Sequence, residues 1–165
     1  MKKLGFVTVI FVFLLFVSNG IQAQTTQTQR NQLELVKQFL GTWQANTGKD
    51  TMDVWECRQH GKAFIENGSL IINGKKSFNY EETYGFSSKE GKFKGFVIYP
   101  TGTYMTWIGS FTSEKKMSGD IVRDFNPGAV TGKFEAVIET PTSITFTFLN
   151  TSGVKTQEVK YQKIK

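Results

Sequence analysis

A chain of 165 residues with a net charge of +6, one cysteine and one histidine excludes several functional classes at once. A lone cysteine cannot form an intramolecular disulfide, and with a lone histidine it cannot build a zinc cage. The carboxylates lack the spacing of a calcium loop, and no phosphate-binding or dinucleotide glycine pattern occurs.

The N-terminus reads as a leader. Met1, Lys2 and Lys3 precede an apolar run over residues 4–17, followed by Ser18, Asn19, Gly20, Ile21, Gln22 and Ala23. A positively charged start, an apolar stretch and a small residue at the end are the three parts of a secretory signal peptide. The stretch is shorter than the roughly 20 residues a bilayer crossing takes. Cleavage is expected after Ala23, which makes residues 1–23 the signal peptide. The only cysteine, Cys57, lies far from that bond, so no lipid-anchored mature N-terminus is expected and the product is expected to be soluble and secreted or periplasmic. Loss of Lys2 and Lys3 lowers the net charge by two. The remaining lysines scatter through strand ends and turns, which fits a solvated surface and not a nucleic-acid patch.

Residues 24–30 are Gln- and Thr-rich and are expected to be a disordered lead-in. The folded domain is expected to span residues 31–165. Asn31 with Glu34 three residues on resembles a helix start. Leu33, Val36, Phe39 and Leu40 then recur at helical spacing until Gly41 stops the pattern. One short amphipathic helix is predicted there, its apolar stripe covering the end of a β-structure.

After Gly41 the period changes to two, and short alternating runs are separated by turn residues such as Asn73-Gly74, Pro100-Thr101-Gly102, Asn126-Pro127-Gly128 and Thr151-Ser152-Gly153. These predict about ten antiparallel strands joined as successive hairpins. Closure into an up-and-down barrel would remove the exposed edges of an open sheet, and a two-sheet sandwich is the structural rival. Alternation sets the inward face. Phe78, Tyr80, Glu82, Tyr84 and Phe86 share one side of a strand, as do Met105, Trp107 and Phe111, then Phe134 with Ala136, Phe146 with Phe148, and Val159 with Tyr161.

The wall of such a barrel supplies the candidate site. Trp55, Tyr80, Tyr84, Trp107, Phe134 and Phe146 are read as wall aromatics, each able to be plain core instead. Glu82 stands out, because a carboxylate among aromatics must pair, shift its pKa or meet a ligand, unless it sits at a strand end in water. Arg123 and Arg58 are its candidate partners, with Arg123 on the face of Met117 and Ile121. His60 falls in a turn-like stretch with no nucleophile motif near it, so no catalytic set, metal or cofactor is assigned. Cys57 reads as a buried small hydrophobe.

Leu40-Gly41-Thr42-Trp43 after a short helix, Tyr84-Gly85-Phe86 before Gly91-Lys92-Phe93, and a closing strand from Val159 to Lys163 together resemble the lipocalin-like barrels of the calycin superfamily, in particular bacterial secreted ones. The resemblance covers essentially all of the domain. It implies that Trp43 is the indole plugging the closed end of the barrel, and that the interior holds a small apolar or amphipathic molecule. Where lipocalins carry a late arginine over that indole, the last strand offers only Lys160 and Lys163. The late axial histidine of haem-binding relatives is missing, so no haem is expected. An envelope interaction protein with a packed core, or an acid–base enzyme using Glu82 and a tyrosine in the barrel mouth, are the other functions this layout allows.

Overall fold

The period-two pattern after Gly41 folds as ten antiparallel strands in a computed structural model, which describes residues 32–165. The predicted leader, the lead-in and Asn31 lie outside the described residues. The strands are β1 (Gly41–Gly48), β2 (Thr51–His60), β3 (Ala63–Ile72), β4 (Lys75–Ser87) and β5 (Lys92–Ile98), then β6 (Tyr104–Ser113), β7 (Lys116–Arg123), β8 (Asn126–Thr140), β9 (Ser143–Leu149) and β10 (Lys155–Lys163). Each pairs with the next, and β1 pairs with β10, so the sheet is a closed up-and-down barrel and not a sandwich.

The pleat sorts side chains as the alternation requires. Trp43, Trp55, Phe64, Phe93, Ala136 and Ile144 are buried inside, while Glu56, Arg58, Asn67, Glu81 and Thr83 lie exposed on outward faces. A charged exterior around an apolar interior is the inverse of the lipid-facing pattern of a membrane-spanning barrel. Among the described residues, no helix is long and apolar enough to cross a membrane.

The predicted helix occupies residues 32–39, its last turn a 3-10 turn over Val36–Phe39. It lies across one end of the barrel. Val36 and Phe39 are buried, and the Phe39 ring meets Phe111 and Phe146 at 5.8 and 6.1 Å between centroids. Gln32 locks the helix to β6 in both directions: its side-chain amide donates to the Phe111 carbonyl at 2.9 Å, and the Phe111 N–H donates to its Oε1 at 2.8 Å. Both polar atoms of a buried amide are thereby satisfied.

The same end holds Trp43, which has no exposed surface. Its indole stacks on Trp55 at 5.5 Å and donates a hydrogen bond to the Phe39 carbonyl at 2.8 Å. Lys163 of β10 places its ammonium 5.3 Å from the centre of that indole, so the lysine occupies the position over the ring. Gly41 makes this crossing possible. Its φ is +115°, and a Cβ there would lie 2.4 Å from the Lys165 carbonyl oxygen and 2.5 Å from the Lys163 side chain. Gly41→Ala is expected to cost about 2 kcal/mol or more, read as a lower urea midpoint with unchanged slope; a cost under about 0.5 kcal/mol would contradict this account.

One predicted break is corrected. Asn126-Pro127-Gly128 begins β8 instead of forming the turn, which is made by Asp124 and Phe125, both at positive φ (51° and 57°). Tertiary contacts hold these unusual residues: Tyr104 donates its hydroxyl to Asp124, and the Phe125 N–H donates to Thr106 Oγ1 at 3.1 Å.

Candidate functional site: an acidic, aromatic barrel cavity

Ten strands give a wider bore than eight, and the rings pointing inward do not fill it. A cavity of about 490 Å³ runs from Phe39 at the helix-covered end to Thr47, Leu70, Phe78, Tyr99 and Gln157 at the other. These last residues sit at the strand ends away from the helix, which places the mouth there.

Of the residues singled out from sequence, Trp55, Tyr80, Glu82, Tyr84, Trp107, Phe134 and Phe146 all line this cavity. Arg123 does not join them. It is exposed at the last position of β7, past the ladder with β6 that ends at Val122 and opposite a stretch where β8 carries extra residues, so it stands at the strand end in solvent and not in the wall. Arg58 is likewise exposed, and His60 ends β2 in solvent. Cys57 is buried, 3.2 Å from the Tyr84 hydroxyl, and burial pushes its thiol up to about 12.

Glu82 takes its hydrogen bond from the Trp107 indole N–H, 2.6 Å from its Oε1. Two glycines set this geometry. Gly95 stands directly across from Trp107 and Gly68 directly across from Tyr80, and a Cβ at either would fall about 2 Å from the facing ring (2.1 Å and 1.9 Å). Each ring thus lies flat over the bare backbone of the neighbouring strand, which fixes its polar tip.

Two further carboxylates share the cavity. Glu66 pairs directly across the ladder with Glu82, and Asp53 lies on the Trp55 face of β2. Asp53 accepts hydrogen bonds from Tyr161 at 2.7 Å and from Tyr80 at 3.4 Å. Glu66 accepts none among the described residues, and its oxygens reach the cavity surface. The signal that marked Glu82 marks both: each stands two residues from an inward aromatic, Asp53 from Trp55 and Glu66 from Phe64.

The electrostatics follow from burial. Among the described residues, no lysine, arginine or histidine lines the cavity, and none of the ion pairs includes Asp53, Glu66 or Glu82. Burial raises Glu66 well above the usual carboxylate range, and the charges of Glu82 and Asp53 raise it further. Burial also lifts Glu82 to about 7 against the opposing Trp107 hydrogen bond. Asp53 is raised less freely, because its tyrosine hydrogen bonds favour the anion. Near neutral pH the cross-strand pair therefore holds a proton, and the cavity is apolar in its walls and acidic at one spot.

No protein-family model and no curated protein matches this sequence.

Proposed function

We propose that this chain is an exported lipocalin-like barrel of the calycin type, which holds one small apolar or amphipathic molecule in its interior. The observation that carries the reading is the cavity of about 490 Å³ walled by Trp55, Trp107, Phe134 and Phe146, a volume and lining suited to a single small ligand. A barrel serving only as a scaffold for outer-surface contacts would gain by filling that space, since unfilled volume costs dispersion contacts. Trp43 under the helix and the short helix itself fit the lipocalin-like layout. Export rests on the N-terminal pattern of residues 1–23, and sequencing of the exported product is expected to begin at Gln24.

The test is binding. Native mass spectrometry of protein from its own host is expected to reveal a bound small molecule, and calorimetry with neutral 2-(1-naphthyl)ethanol to give one site. Leu70→Trp, which narrows the mouth, is expected to weaken that binding at least tenfold with little change in melting temperature. A protein that carries no molecule and gives no heat with the alcohol would end the container reading.

An acid–base catalyst in the same cavity is the second reading, favoured by Glu82, raised to about 7 by burial, standing beside tyrosines. Turnover in a substrate screen that survives Glu82→Gln would remove it.

A further inference from the structure

Glu66 is an uncommon feature for a container of neutral molecules. It is half-buried, faces the cavity, and finds no hydrogen-bond donor among the described residues, while its cross-strand neighbour Glu82 adds a second carboxyl to the same spot. Like-charged residues directly opposite on a ladder are destabilising, and so is drawing a carboxylate away from bulk water without a partner. A barrel selected to hold only alkanes or neutral rings would replace both by apolar residues. Among the described residues no cationic side chain lines the cavity to answer the charge, and the Lys163 ammonium lies over Trp43.

The partner must therefore arrive with the ligand. Around the pair stand Trp107, Tyr84 and Tyr80, whose π faces also favour cations. Trp107 uses its only polar hydrogen on Glu82, and the tyrosine hydroxyls of Tyr80 and Tyr161 are committed to Asp53, so the unfilled hydrogen-bonding capacity around the pair is that of an acceptor, while Thr47, Tyr99 and Gln157 offer their donors at the mouth. Among the described residues no three carboxylate, cysteine or histidine side chains converge as metal ligands would, which leaves an organic cation.

Building on the container reading above, we propose that the ligand is an amphipathic amine, its protonated nitrogen donating to Glu66 and Glu82 and its apolar body lying among Trp107, Phe134 and Phe146. The amine supplies the donors that Glu66 lacks, and its charge is neutralised where the wall concentrates acidity. An anion of the same shape, such as a fatty-acid-like carboxylate, meets repulsion at the same spot.

Three probes of one shape separate the possibilities: 2-(1-naphthyl)ethylamine, 2-(1-naphthyl)ethanol and 1-naphthaleneacetate, titrated into the protein by calorimetry. At pH 8 the amine is expected to bind at least tenfold tighter than the alcohol, and the carboxylate weakest. In Glu66→Gln/Glu82→Gln the ratio of amine to alcohol affinity is expected to fall to about one. A second readout needs no variant. The amine-to-alcohol ratio in the wild-type protein is expected to fall at least fivefold from pH 8 to pH 5, as the pair gains its second proton. The groups facing the pair are Asp53 and Cys57 on β2, Tyr80 and Tyr84 on β4 and Tyr161 on β10; burial holds the thiol and the hydroxyls above this range, and the alkylamine stays protonated across it, as lysine does (about 10.4). An amine that binds no tighter than the alcohol, or a ratio indifferent to the double variant, overturns the proposal while leaving the container standing. A site for none of the three overturns both.

Discussion

Replacement of Trp43 by alanine is expected to lower the unfolding free energy by about 3–5 kcal/mol, the range for removing a large buried aromatic. The figure belongs at the upper end of what a core position costs, because the indole joins three elements. It is fully buried, stacks on Trp55 of β2, takes the Lys163 ammonium of β10 over its face, and ties the helix down through the Phe39 carbonyl. Trp43→Phe separates these roles. The phenyl ring keeps part of the stack but leaves the buried carbonyl without its donor, an expected loss of about 1–3 kcal/mol. Chemical denaturation measures both, and a Trp43→Ala cost below about 1 kcal/mol would mean that the covered end does not depend on this ring.

The second large effect is a dependence on pH. The folded protein without ligand is expected to melt several degrees higher at pH 5 than at pH 8. Glu66 and Glu82 would titrate near 4.5 in an unfolded chain, and both are raised in the fold, Glu82 to about 7. Between these values the folded state binds more protons than the unfolded one, so stability falls as pH rises through that window. For Glu82 the shift corresponds to on the order of 2 kcal/mol after discounting for its contact with the cavity, and Glu66 contributes with the same sign. Glu139, lowered by Lys160, acts in the opposite sense, but its contribution is lost only below its ordinary value of 4.5 and outside the window. Glu66→Gln/Glu82→Gln is expected to flatten the profile and to be the more stable protein at pH 8. Melting curves of the two proteins at pH 5 and pH 8 decide this, and a wild-type melting temperature that rises toward pH 8 would contradict the burial of the pair.

Strand number, barrel closure and the inward faces were legible because the pleat leaves a half-buried strand little choice but to alternate. The same rule located Glu82 among the cavity residues. It could not locate Arg123, because alternation gives a face but not where the ladder stops: β7 leaves β6 after Val122, and β8 carries extra residues opposite, so Arg123 ends in solvent. The turn at Asp124 and Phe125 escaped for a similar reason. Nothing in those two residues favours positive φ as strongly as the neighbouring Asn126-Pro127-Gly128 favours a turn, and it is Tyr104 and Thr106, both distant in sequence, that hold them. Glu66 was obscured by its own strand. Between Phe64 and Gly68 its face looks sparse, and only the cross-strand view shows that Gly68 is empty to admit the Tyr80 ring. The cavity volume depends on how many strands close and which rings lie flat, quantities that no single segment contains.

Nine of the ten strand pairings join neighbours in the chain, but the tenth joins β1 to β10 through a short ladder, Trp43 opposite Lys163 and Gln44 opposite Gln162, extended by Thr42 with Lys165 and Ile164. Hairpins form by closing small loops, whereas this seam must close a loop that spans nearly the whole domain. Loop-closure entropy thus favours forming the hairpins before the seam. Until β10 arrives, β1 presents an unpaired edge and Trp43 lacks its lysine. The interval before closure is when the chain is most open to pairing with another molecule, and its length is governed by the slowest step of the search and not by the strength of the finished barrel.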